Sequence, residues 1–282
     1  MPHIPVLQKE VIKYLDPKEN ENFIDCTIGG GGHTLAILER NGPKGKVLGI
    51  DRDPEVIGNW KLKIKNWEKR IILACDNYTN LKEIVQKNKF GSVDGILFDL
   101  GMSSWHLEES GRGFSFQKRE PLDMRYDVQT NNLTAEKIVN YWSKFELERI
   151  LQEYGEERKA RRIAEKIIEV RKLKPIKSTW QLREIINRAG THPRQTFQAL
   201  RIAVNDELNN LKEALPQAVE ILEKGGRLAV ISFHSLEDRI AKFFFKNQSF
   251  SLLTKKPVRP SLEELRVNPR SRSAKLRAIK KL

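Results

Sequence analysis

The sequence predicts an α/β protein: a doubly wound, mostly parallel sheet interrupted by an all-helical insert. Three observations predict it. Short apolar runs alternate with helical patterns over the first hundred residues, each run ends in or beside an acid, and the pattern turns wholly helical from Ala135 to Leu222 before a strand returns. The strands fall near 22–27, 46–51, 71–76 and 93–99, and helices are expected between them at 33–41, 54–66 and 79–88. Strands that alternate with helices in this way run parallel, with helices covering both faces of the sheet. The acids that close the four strands are Asp25, Asp51, Asp76 and Asp99. Four carboxylates along one edge of a sheet call for a polar ligand lying across that edge.

After Asp99 the composition changes. Residues 100–132 are rich in Gly, Ser and Arg with weak periodicity, as expected of a long functional loop. In the helical stretch that follows, Ala160, Ile163, Ala164, Ile167 and Ile168 share one face, opposite Arg158, Lys159, Arg161 and Arg162. A strand at 227–233 enters through Lys224-Gly-Gly226, and a helix at 236–246 and strands at 250–254 and 274–281 complete the chain. The domain reading is thus a sheet domain from 1–112 and 223–282 and a helical insert at 113–222.

Bulk properties narrow the partners. The 282 residues hold 51 Lys and Arg against 37 Asp and Glu, a net charge of +14. Such a field attracts and steers polyanions. The two cysteines, Cys26 and Cys75, lack metal-ligand spacing, so a reducing compartment with no metal site is expected. No apolar run approaches membrane-spanning length, which reads as a cytoplasmic protein without a membrane partner.

The stretch with most chemical content is Asp25-Cys-Thr-Ile-Gly-Gly-Gly-Gly-His33, followed by Gly49-Ile-Asp51. A strand, a glycine turn, a helix and a second acid-tipped strand form a nucleoside-binding unit at a sheet edge. Asp51 suits an unphosphorylated ribose diol. The glycine spacing fits Gly-x-Gly-x-x-Gly poorly, and no Gly-Lys-Ser/Thr follows to hold a phosphate. These features disfavour a nicotinamide dinucleotide or a nucleoside triphosphate, and they favour S-adenosylmethionine as the cofactor.

Nine strings, in order along the chain, then resemble one family. They are His3-Ile-Pro-Val-Leu, the glycine turn through Thr34, Asp99-Leu-Gly-Met-Ser-Ser104, Arg112-Gly-Phe-Ser-Phe116 and Pro121-Leu-Asp-Met-Arg125. Tyr154-Gly-Glu-Glu-Arg158, Phe197-Gln-Ala-Leu-Arg-Ile202, Ile231 to Arg239 and Asn268 to Arg277 follow. Together they are similar to the ribosomal small-subunit RNA (cytosine-N4)-methyltransferases, the MraW/RsmH family, over the whole chain. The resemblance implies a class I methyltransferase fold, S-adenosylmethionine, and a cytidine in the decoding region of 16S rRNA on the small ribosomal subunit. It also implies cofactor contacts at Gly31, Gly32, His33, Asp51, Tyr78, Asp99 and His106. The family usually has Phe at the position of Tyr78 and Gln at that of His106; imidazole still hydrogen-bonds, with a charge that depends on pH.

Methylating a cytosine amino group requires an acceptor for its N–H, because the nitrogen lone pair is delocalised into the ring. The candidates are Asp99, Asp123 and His234. The Pro-Pro-aromatic motif that serves DNA amino-methyltransferases is replaced here by Leu100-Gly-Met102. Asp123→Asn is expected to abolish methyl transfer and spare cofactor binding. For RNA, Arg112, Lys118, Arg119 and Arg125 surround Phe114, Phe116 and Tyr126, a mixture suited to phosphate contact and base stacking. A second basic set, Arg266, Arg270, Arg272, Lys275 and Arg277, is assigned to the ribosome. The competing readings are a DNA amino-methyltransferase, a non-catalytic RNA-binding module and, more distantly, a dehydrogenase.

Overall fold

The computed structural model describes residues 4–61, 67–246 and 250–282, so His3 and the end of the helix expected at 54–66 lie outside the described residues. The chain divides into two compact units. One comprises Met1–Met102 and Leu208–Leu282, the other Ser103–Glu207.

The first unit is built on a sheet. Strands β1 (Phe23–Asp25), β2 (Val47–Asp51), β3 (Ile71–Cys75) and β4 (Val93–Asp99) alternate with helices α2 (Gly32–Leu38), α3 (Pro54–Lys61) and α4 (Leu81–Lys87), while α1 (Gln8–Leu15) precedes them. Strand β5 (Leu222–Ser232) and helix α12 (Ser235–Phe244) are followed by the edge strands β6 (Phe250–Leu252) and β7 (Lys275–Lys281). The strand order is β3-β2-β1-β4-β5-β7-β6. β1 to β5 run parallel, and β7 is antiparallel to both β5 and β6. The parallel strands are apolar along their length because both faces are covered; Phe23, Ile24, Leu48, Ile50, Ile96 and Phe98 are all fully buried.

The topology singles out one place. β1 pairs β2 on one side and β4 on the other, so the chain's winding reverses between β1 and β4. In open α/β sheets ligands bind at the carboxyl ends of the strands flanking such a switch point. Here those ends are Asp25 and Asp99, with Asp51 one strand away.

Two of the departures in extent from the sequence reading shape the sheet unit, whose first part also ends at Met102, ahead of the expected 112. β5 begins at Leu222 rather than 227, because Leu222 pairs with Val93 and a bulge carrying Gly225 at φ 82° absorbs the residues before Arg227. Helix α11 (Glu207–Ile221) closes the helical run but packs its Leu211, Ala214, Leu215 and Ala218 into the core of the sheet. That is why the sheet unit resumes at Leu208, ahead of the expected 223.

The second unit holds α5 (Ser104–Glu108), α6 (Ala135–Tyr141), α7 (Lys144–Glu153), α8 (Ala160–Leu173), α9 (Thr179–Arg188) and α10 (Arg194–Asn205). Its helices start on side-chain caps: Thr134 on α6, and capping boxes Ser143/Glu146 on α7 and Ser178/Gln181 on α9. α8 buries Ala160, Ile163, Ala164 and Ile167, while Arg158, Lys159, Arg161 and Arg162 face solvent, as the periodicity predicts. At the end of α10, buried Asn205 donates to the Met124 carbonyl at 2.7 Å and accepts from the Tyr126 amide at 3.0 Å, which pins the long loop to the helices. No helix among the described residues is long and apolar enough to cross a membrane.

Candidate active site

The glycine turn follows β1 directly. Gly29 and Gly31 take φ values of 44° and 76°, in the left-handed region that side chains disfavour. Space constrains Gly31 as well: a Cβ there would lie 1.4 Å from the Trp60 ring. Trp60 lies under the turn, its indole N–H donating to the Gly29 carbonyl at 2.8 Å. Asp51 accepts from the Gly29 amide at 3.1 Å and from the Asp53 amide at 3.0 Å, so its carboxylate is oriented by the turn it serves. A carboxylate has about four acceptor positions, which is what gripping both a turn and a ribose diol requires.

Beyond the glycines, three ionisable groups meet at the switch point. His33 and Asp25 are buried, and His33 Nε2 lies 3.5 Å from Asp99 Oδ2. That separation is not a hydrogen bond: both His33 ring nitrogens and Asp99 Oδ1 are buried without a partner among the described residues. Buried polar atoms are normally bonded, so three orphans at one strand edge mark a place shaped for a polar ligand. Asp25 is satisfied instead, accepting from the Thr34 hydroxyl at 2.7 Å and the Thr27 amide at 3.2 Å. The Thr27 hydroxyl in turn accepts from the Asp99 amide at 2.7 Å, which ties the two strand ends together.

Burial pushes the Asp25 carboxyl up to about 6 from an ordinary 3.8, despite the opposing pull of His33 and its hydrogen bonds. The folded state therefore holds this proton more tightly than the unfolded state. The resulting stabilisation is complete below about pH 4 and is lost as pH rises through about 6, on the order of 3 kcal/mol in all. In urea titrations at those two pH values, Asp25→Asn is expected to remove that part of the decline; an unchanged pH dependence would exclude Asp25 as its source.

Tyr78 opens the 3-10 turn after β3 and stands edge-on to Phe98, ring centroids 5.5 Å apart. His234 follows β5 as the N-cap of α12, with its ring accepting from the Glu237 amide while Glu237 accepts from the Phe233 amide at 2.7 Å. His234 Nε2 also lies 2.9 Å from Glu237 Oε1 but out of line for a hydrogen bond. The ring is thus held in a capping geometry.

The remaining predicted residues belong to the helical unit. His106 is buried, with Nδ1 2.8 Å from the Ser103 hydroxyl and its ring packed among Trp105, Phe114 and Tyr126. Both oxygens of Asp123 take a guanidinium N–H of Arg125 at 2.7 Å, and Arg125 also donates to the Asn131 carbonyl at 2.7 Å. Arg112 is buried, lies over the Trp105 ring at 5.0 Å and donates to the Tyr126 carbonyl at 3.0 Å. Lys118 donates to the Glu108 carbonyl. Arg119 is exposed. So Asp123, Arg112 and Arg125 brace the loop from inside, and Arg119 points its charge outward.

One surface feature escaped the sequence reading. Trp180, the most exposed of the five tryptophans at 43%, carries the Arg183 guanidinium 5.0 Å from its ring centre. Exposed Lys177 precedes it, and Arg119 adjoins it because Glu120 pairs with Thr179 through amide–carbonyl and amide–hydroxyl bonds of 2.9 and 3.0 Å. An isolated Trp in a helical pattern reads as core; only its exposure distinguishes it.

Fold and site define a class I methyltransferase. The MraW methylase family model matches residues 1–282, and the chain belongs to that family. It is therefore an S-adenosylmethionine-dependent methyltransferase. Ribosomal RNA small subunit methyltransferase H of Heliobacterium mobile is 43% identical, with 99% of each chain covered. Its counterpart from Thermotoga neapolitana is 48% identical over 98% of this chain and 95% of its own. A crystal structure of a candidate rRNA-methylase from Clostridium thermocellum matches with a TM-score of 0.50 at 15% identity, covering 99% of this chain and 100% of its own, a likeness of fold. The residues fit the cofactor. The side-chain-free turn, the diol-competent Asp51 and the orphaned atoms of His33 and Asp99 lie where a nucleoside with a charged tail would be held.

Proposed function

We propose that the protein methylates N4 of a cytidine in the decoding region of 16S rRNA on the small ribosomal subunit, in the cytoplasm. The orphaned pair His33–Asp99 at the switch point carries this reading, and the names of the relatives support the substrate. Gly31, Gly32, His33, Asp51 and Tyr78 would hold the cofactor, which supplies the methyl group when bound. Asp99 Oδ1 is the best-placed acceptor, buried and without a partner among the described residues. It would take a hydrogen bond from the cytosine amino group, localise the nitrogen lone pair, and receive the amino proton as the methyl group passes to nitrogen and its bond to the sulfonium sulfur breaks, leaving S-adenosylhomocysteine. Asp123 and His234 are less available, held by Arg125 and by the α12 cap.

The helical unit serves recognition, with Arg119 and Lys177 for phosphates and Trp180 with Arg183 for an unpaired base. Affinity for 30S subunits is expected to fall linearly with salt on logarithmic axes. Arg119→Ala should flatten that slope by about 0.7 to 1, while Trp180→Ala should weaken binding with the slope unchanged. A salt-independent affinity would remove the electrostatic part. The decisive experiment is mass mapping of methylated nucleosides after incubating undermethylated 30S subunits with protein and S-adenosylmethionine. N4-methylcytidine at one decoding-region position supports the reading; methyl groups appearing only on DNA would overturn it.

A further inference from the structure

Two of the strings in the sequence, the one ending at Leu7 and the one beginning at Asn268, have no part in the site described above, and the fold joins them. Leu7 is fully buried in the left-handed region at φ 54°, and its amide donates to Glu264 Oε1 at 2.8 Å. Asn268 donates from its side chain to the Ile4 carbonyl at 3.1 Å. Glu264 and Asn268 lie one turn apart, the Asn268 amide bonding the Glu264 carbonyl at 2.7 Å, on helix α13 (Leu262–Val267) and its exit. The C-terminal helix thus holds the 4–7 segment at two points.

The other side of that segment touches the glycine turn. A Cβ on Gly32 would lie 2.0 Å from Pro5 Cγ, so the proline occupies the space the glycine leaves. The Gln8 side chain donates to the Gly32 carbonyl at 2.8 Å. Burial pushes the Glu264 carboxyl up, and the hydrogen bond from the Leu7 amide opposes that.

We propose that Glu264 is a positioning residue for methyl transfer: through Leu7, Pro5 and Gln8 it presses the strap of residues 4–8 onto Gly32 and sets the turn that receives the cofactor. The inference rests on the cofactor assignment above. A latch of this kind sharpens ground-state binding of the donor and leaves the chemical step alone, so its loss raises KM rather than lowering kcat.

The test uses the full chain and S-adenosylhomocysteine as the calorimetric probe. Glu264→Ala is expected to weaken binding about tenfold, the effect of losing one charge-assisted hydrogen bond, and to raise KM for S-adenosylmethionine similarly with kcat within about twofold. Glu264→Gln retains a carbonyl acceptor for the Leu7 amide and should recover most of the affinity. If Glu264→Ala does not fold, Gln8→Ala, which removes only the bond to Gly32, is expected to give the same split between KM and kcat. Wild-type affinity in Glu264→Ala, or equal losses in the Ala and Gln variants, overturns the proposal. Failure of the wild-type chain to bind the probe overturns the cofactor assignment and the latch with it.

Discussion

Asp99→Asn is expected to lower methyl transfer by about 100-fold or more while leaving the protein at least as stable as the wild type. The two effects have one origin. Among the described residues Asp99 Oδ1 is buried without a partner, and His33, whose Nε2 lies 3.5 Å from Asp99 Oδ2, has neither ring nitrogen bonded. A buried charge without a bonded partner is no easier to accommodate than a neutral amide of the same shape, so asparagine is not expected to cost the folded state stability. The same change removes the acceptor that localises the amino lone pair. Turnover on 30S subunits and urea midpoints measured on one preparation check both halves. Undiminished turnover would take the proton-accepting role from Asp99, and a clear loss of stability would show that the carboxylate has a structural partner.

Gly31→Ala is expected to abolish detectable S-adenosylhomocysteine binding and to destabilise the sheet unit by about 3 kcal/mol or more. Two separate costs add there. The left-handed backbone at φ 76° penalises any side chain, and a methyl group 1.4 Å from the Trp60 ring forces the indole or the turn to move. Because Trp60 is hydrogen-bonded to the Gly29 carbonyl, the indole cannot move without disturbing the turn. Truncating the ring, as Trp60→Leu in the Gly31→Ala background, should return part of the stability. Calorimetric titration and thermal unfolding read both quantities. Wild-type affinity in Gly31→Ala would mean that the turn does not approach the ligand.

What could be read in advance follows from the range of the interactions. β1 to β4 were legible because each is a short apolar run that ends in or beside an acid, and the helices between them keep their own period. The acids of the site were legible for the same reason, since a strand's last residue is a local property. Trp60 beneath the turn was not, because only the fold brings α3 to Gly29. Arg112 and Arg125 read as phosphate ligands by composition, yet the loop folds their guanidinium groups onto its own carbonyls and onto Asp123. The antiparallel pair β6–β7 and the bulge in β5 likewise depend on register with distant partners. Short α5, inside a stretch dominated by Gly and Ser, had too few residues to show a period.

The strap over the glycine turn bears on the order in which the molecule is made. Residues 4–8 leave the ribosome well before the groups that hold them, since Glu264 lies 257 residues after Leu7 and Asn268 follows it. β7, which completes the pairing of β5, is later still. At synthesis rates of about 5–20 residues per second, the nascent chain spends over ten seconds with its donor-binding turn unlatched. With the latch proposed above, the chain gains its full hold on the methyl donor only once the segment from Glu264 to Asn268 has been made.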